Sequence, residues 1–163
     1  MSRILAVCCA SCAGLALAHG DVHRTKQPVA AASFEQKPFG IAAVPAKAQR
    51  TITVLMGDDM RFTPDTVTVR RGETVRIRIR NQGKVLHEMV LGSAAELSEH
   101  AALMKKFPNM EHDEPYMAHV QPGATAQIVW TFNRDGEVSF ACLIPGHSEA
   151  GMVGRIKVLS QGH

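Results

Sequence analysis

Phe140-Ala141-Cys142-Leu143-Ile144-Pro145-Gly146-His147-Ser148-Glu149-Ala150-Gly151-Met152 places a thiol, an imidazole and a thioether on one short stretch, with four residues between each donor and the next. A thiolate and imidazoles as strong equatorial donors, with a weak axial thioether, form the ligand set of a mononuclear type 1 copper centre. The stretch supplies one imidazole, so a second must come from elsewhere in the chain. His87, in Val85-Leu86-His87-Glu88-Met89-Val90-Leu91, is placed to supply it.

The elements that carry these residues can be read from side-chain alternation. In Val85 to Leu91 the odd positions Val85, His87, Met89 and Leu91 share a face, which puts His87 on the core side. In Glu137 to Cys142 the even positions Val138, Phe140 and Cys142 do the same. Side chains alternate across a strand with a period of two, so an imidazole and a thiol at the ends of two core-facing rows can meet at one pole of a sandwich. Further strands are expected at Thr51–Met56, Thr66–Val69, Thr74–Arg80, Thr125–Phe132 and Met152–Leu159, separated by Gly, Asn and Pro turns. Val75, Ile77 and Ile79 are expected inward, with Arg76, Arg78 and Arg80 on a solvated basic face. Leu97, Ala101 and Met104 mark one helix over Ser93–Lys106, stopped by Pro108. Many short strands and one helical insertion describe an all-β, Greek-key β-sandwich.

The amino terminus sets the compartment. Met1-Ser2-Arg3, an apolar run from Ile4 to Leu17 and the small-residue pattern Ala16-Leu17-Ala18 read as a signal peptide over residues 1–18, cleaved after Ala18. The apolar run is too short for a permanent span, so no membrane span is expected after cleavage. Cys8, Cys9 and Cys12 leave with that segment, and Cys142 remains alone. A lone cysteine in an exported chain cannot form an internal disulfide, and metal ligation protects it from oxidation. Residues 19–49, with Pro28, Pro38 and Pro45, read as an extended N-terminal arm, and residues 50–163 as the domain. Without Arg3 the chain carries 17 Lys and Arg against 15 Asp and Glu, a balance that gives no reason to expect nucleic acid as a partner.

These motifs resemble the cupredoxins, copper proteins of the plastocyanin, azurin and rusticyanin kind. The cysteine-to-methionine loop is similar to that of rusticyanin and longer between Cys142 and His147 than that of plastocyanin. Arg50-Thr51-Ile52, Met60-Arg61-Phe62-Thr63-Pro64, Arg71-Gly72-Glu73-Thr74-Val75, Leu86-His87-Glu88, Met110-Glu111-His112-Asp113-Glu114-Pro115 and Phe140 to Gly154 resemble bacterial periplasmic cupredoxins of the CopI type. Those are associated with copper tolerance. The resemblance implies His87, Cys142, His147 and Met152 as copper ligands. Glu88 follows the first histidine where azurins often have asparagine, which leaves open the hydrogen bond that usually braces the ligand loop.

Two weaker constellations lie outside that set. Met110, His112, Met117 and His119 place two thioethers and two imidazoles within ten residues, soft donors suited to a secondary copper site. His19 and His23 open the mature chain beside a free α-amine and form another candidate chelate. Ala141 stands where copper reductases and multicopper oxidases carry a histidine, and the chain has no His-x-His pairs. One surviving cysteine also excludes a dinuclear electron-transfer centre. No catalytic residue and no enzyme activity is therefore expected. The expected function is a periplasmic copper-tolerance protein cycling Cu(I) and Cu(II), with copper ions and a redox partner or copper-transport protein as its partners. The alternative is a diffusible single-electron carrier between respiratory complexes.

Overall fold

The strand Glu73–Asn81 shows how alternation builds the layers. Val75, Ile77 and Ile79 are buried, Arg76 is half-buried, and Arg78 and Arg80 are exposed. The computed structural model describes residues 34–107 and 113–160. Among these residues the strands, in chain order, are β1 (Gln36–Lys37), β2 (Gly40–Ala42), β3 (Arg50–Gly57), β4 (Arg61–Thr63), β5 (Thr66–Arg70), β6 (Glu73–Asn81), β7 (His87–Gly92), β8 (Met117–Val120), β9 (Thr125–Phe132), β10 (Gly136–Ala141) and β11 (Val153–Leu159). Helix α1 (Ala94–Lys106) lies between β7 and β8.

The strands form a six-stranded sheet, ordered β1-β2-β9-β6-β3-β4, and a five-stranded sheet, ordered β5-β11-β10-β7-β8. β3 and β6 pair in parallel, as do β5 and β11, and the other pairs are antiparallel. Ile77, Ile79, Trp130 and Phe132 of the first sheet join Met89, Leu91, Phe140 and Ile156 of the second in one core. This is the β-sandwich expected from the alternating runs.

α1 covers the outer face of the five-stranded sheet. Ser93 caps its first turn: its side chain accepts from the Glu96 N–H while Glu96 reaches back to the Ser93 N–H. Leu97 and Met104 turn inward onto Val90, Met117, Ala141 and Leu143, forming a second, smaller core. All six residues of β7 are consequently buried, with the sandwich core on one face and α1 on the other. Among the described residues no helix is long and apolar enough to cross a membrane.

Two departures from the expected layout stand out, besides the added short strands β4 and β8. Within the segment read as an irregular arm, β1 and β2 form a hairpin that adds to β9, and Phe39 stacks on Trp130 with ring centroids 5.3 Å apart. Pro38 sits in the hairpin turn and Pro45 opens a single 3-10 turn, so these prolines punctuate structure rather than prevent it. Second, Val85 does not join the core-facing row; it is 43% exposed and β7 begins at His87. The Asp58 carboxylate accepts from the N–H groups of Lys84 and Val85, which bends the chain out of the ladder just before His87. The signal segment with its cleavage point, and His19, His23, Met110 and His112, lie outside the described residues.

Candidate metal centre

Four donors expected on the two core-facing rows and the following loop lie at one end of the sandwich. His87 opens β7 and is fully buried. Cys142 follows directly on β10, which pairs antiparallel with β7 through Ala141 and Val90, so the strand ends carrying the imidazole and the thiol are neighbours. His147 rides on the loop beyond and is half-buried, and Met152 closes that loop with no exposed surface. The loop is pinned by its own backbone: the Cys142 N–H donates to the Met152 carbonyl at 3.1 Å, and the Met152 N–H to the His147 carbonyl at 3.0 Å.

The His87 and His147 Nδ1 atoms are 3.2 Å apart, and His147 Nδ1 is 3.2 Å from Cys142 Sγ. One donor atom from each of the three residues lies within 4.8 Å of the others. Donors sharing a first-row metal ion at about 2 Å stand roughly 3–3.5 Å from one another. His87 Nε2 faces Asp58 Oδ1 at 3.4 Å, and a carboxylate only accepts, so Nε2 carries the ring proton and Nδ1 presents a lone pair. His147 Nδ1 faces it across 3.2 Å, so the two rings can share either a proton or a cation between them. A carboxylate holding the far nitrogen of a ligating histidine is a common support in metal sites. The donor set therefore fits a thiophilic ion that also accepts imidazole, which is the preference of copper.

The electrostatics agree with a site built to exchange a proton for a metal. Burial pushes the Cys142 thiol up to about 12, against partial relief from the Glu88 and Ile144 N–H groups. Burial, then the nearby His87 ring, lowers the His147 pKa and favours its neutral form. The Lys84 N–H, with smaller help from Val85 and His87, holds the Asp58 carboxyl below its usual range.

Two supporting residues were not evident from the sequence, and the role of a third was left open by it. Asp58 is one. Arg61 is another: its guanidinium donates to the Ala150 carbonyl at 2.7 Å and occupies the space a side chain at Gly151 would need, with Nη1 2.6 Å from an ideal Cβ there. Gly151 also has φ +105°, so the turn into Met152 requires glycine. The third is Glu88, whose Oε1 accepts from the Leu143 N–H at 2.8 Å while its own N–H points at Cys142 Sγ at 3.4 Å. The loop brace left open by the Glu-for-Asn difference is thus made, by a carboxylate. An isolated acid inside the apolar run Leu86 to Leu91 was the available signal for it.

The secondary constellation is divided. Met117 and His119 lie on β8; Met117 packs under α1, and His119 Nε2 lies 2.9 Å from Glu88 Oε2. Their expected companions Met110 and His112, like His19 and His23, are outside the described residues.

A family model of copper binding proteins, plastocyanin/azurin family, matches residues 48–159. The chain belongs to this family of copper-binding cupredoxins. It is 49% identical over 140 residues to the copper-resistant cuproprotein CopI of Rubrivivax gelatinosus, spanning 86% of this chain and 82% of that one. The CopI of Vibrio cholerae is 41% identical over 120 residues, 73% of this chain and 71% of the relative. Among solved structures, auracyanin B superposes with a TM-score of 0.61 at 21% identity, over 73% of this chain and 95% of that one, which supports the fold alone.

Proposed function

We propose that the protein is an exported type 1 copper protein of copper tolerance, holding one copper through His87, Cys142, His147 and Met152. The observation that carries this reading is the convergence of the two Nδ1 atoms and Cys142 Sγ in one buried pocket. Copper bound there supplies one-electron chemistry between Cu(I) and Cu(II), softened toward Cu(I) by thiolate and thioether donors. The residues' part is to present neutral imidazoles, yield the Cys142 proton, exclude water and keep the donors fixed. Met152, wholly buried at the close of the loop, would offer its thioether as a weaker fourth donor beside the thiolate and the imidazoles. The names of the CopI relatives support copper tolerance as the setting, and the leader-like residues 1–18 support a periplasmic location. We assign no catalytic residue and no enzyme activity; copper itself is the partner, with a redox or copper-transport protein receiving electrons or metal.

A single-electron carrier is the second reading, favoured by the exposed apolar Val85 and Leu86 immediately before His87. The test of the ligand set is spectroscopic: Cu(II) should give the wild type an intense thiolate-to-copper band in the visible, and Cys142→Ser should abolish it. Retention of the band in that variant would overturn the assignment. The two settings separate by phenotype: a deletion strain should fail in elevated copper and respire normally in trace copper, whereas a respiratory defect at trace copper would favour the carrier.

A further inference from the structure

Glu88 is the one fully buried carboxylate among the described residues. Its strand faces α1 on this side, so the carboxylate sits in the smaller core near Val90, Met117 and Leu143. Burying a carboxylate is costly unless it is paired and hydrogen-bonded. Oε1 receives the Leu143 N–H at 2.8 Å, and Oε2 meets His119 Nε2 at 2.9 Å. His119 lies directly across the ladder on β8, and its side chain is 31% exposed. A continuous chain of contacts therefore runs from the surface at His119 through Glu88 to the Cys142–Leu143 backbone, and from the Glu88 N–H to Cys142 Sγ.

We propose that His119, acting through Glu88, is a positioning residue of the copper centre: it fixes the carboxylate that ties the cysteine loop to β7, and the pair sets the balance between the two copper oxidation states. This rests on the ligand reading given above. A carboxylate beside the thiolate favours the more positive Cu(II). The His119 imidazole, with Nε2 2.9 Å from Oε2, draws part of that negative charge away from the metal and holds Glu88 on Leu143. The role differs from that of a ligand in a secondary site, because removing His119 changes the properties of the first copper without changing the copper count.

The experiment compares wild type, Glu88→Gln, His119→Ala, His119→Gln and the double variant Glu88→Gln/His119→Ala. Each is measured for copper stoichiometry, visible band, midpoint potential and rate of copper release to a chelator. Glu88→Gln keeps an acceptor for the Leu143 N–H and loses the charge, so the band stays and the potential rises. His119→Ala lowers the potential and speeds copper release about tenfold, the lower end for lost outer-shell support. A tenfold change in the oxidation-state balance reads as about 59 mV for a one-electron couple. His119→Gln, which restores an N–H donor to Oε2, returns both quantities to near wild type. In the Glu88→Gln background, His119→Ala has no further effect on potential. If His119→Ala fails to fold, His119→Val, which suits a strand and also removes the ring nitrogen facing Oε2, takes its place, and a potential equal to wild type in both it and Glu88→Gln sinks the idea. A wild type with its visible band, and a His119→Ala protein unchanged in potential and release, overturns the proposal while the ligand reading stands. A wild type with no band overturns the ligand reading and takes this proposal with it.

Discussion

Consider the metal-free protein titrated with Cu(I), supplied anaerobically as its acetonitrile complex at pH 8, so that the metal brings neither hydrolysis nor thiol oxidation. Burial and the neighbouring His87 ring lower the His147 pKa, so that imidazole contributes little to proton release. Cys142 contributes fully. Its thiol stands at about 12, raised from 9.0 mainly by burial, so four pH units separate it from the solution. Only the thiolate ligates, and each pK unit is worth about 1.4 kcal/mol, so removing this proton at pH 8 costs about 5 kcal/mol of the intrinsic copper–thiolate affinity. One proton should therefore leave per copper bound, and the apparent affinity should rise tenfold per pH unit between pH 8 and 10. Calorimetry in buffers of different ionisation enthalpy counts the protons, and competition with a chelator follows the affinity. Release of less than half a proton at pH 8, or an affinity flat over that range, would show that the metal-free site already holds a thiolate, and the burial argument would be wrong.

The same shift has a signature in folding. The folded thiol titrates above its unfolded value of 9.0, so between pH 9 and 12 the folded state holds a proton that the unfolded chain has lost. Stability of the metal-free protein then falls as pH rises through that window, by up to about 1.4 kcal/mol per unit and about 4 kcal/mol in all; below pH 9 the group contributes no slope. Urea midpoints of wild type and Cys142→Ala, both metal-free, should diverge in slope from pH 9 upward. Parallel curves would contradict the shift.

Two substitutions probe the surroundings of the donors. Met152→Leu should retain copper, because the equatorial donors carry most of the affinity, while spectroelectrochemistry shows a shifted band and a higher potential; complete loss of copper would make Met152 a principal ligand. Gly154→Ala should destabilise the fold by about 1–3 kcal/mol in urea unfolding, since the new Cβ would come within 2.2 Å of the Phe140 ring and 2.6 Å of the Asp65 carbonyl; an unchanged midpoint would mean that Phe140 moves aside freely.

The convergence of His87, Cys142 and His147 was legible because the cysteine and the second histidine share one loop, and the alternation of two strands brings His87 to the same end. The helix was legible for the same reason, with Leu97 and Met104 on the face that packs. The sequence reading failed where partners come from distant segments. Asp58, twenty-nine residues before His87, bends the chain at Lys84 and Val85 and removes Val85 from the core row. Arg61 reaches eighty-nine residues along the chain to the loop carbonyl at Ala150. The hairpin at 36–42 was missed because its strands are two and three residues long and flank a proline turn, too short for alternation to register.

Glu88 joins these two kinds of legibility. Alternation alone places it on the face of β7 opposite His87, where an acid ordinarily meets water. α1 covers that face, so the same register that aims His87 at the metal buries the adjacent carboxylate within reach of Leu143 and His119. An asparagine at this position could make the bond to the Leu143 N–H as a neutral acceptor, whereas glutamate brings a charge that has to be matched. The histidine opposite it on β8 brings Nε2 to 2.9 Å from Oε2, so positions 88 and 119 meet under the helix that shuts out solvent. Helix, acid and histidine pack together beside Cys142 and Leu143, which is why the proposed effect of changing either side chain is measured in the background of the other.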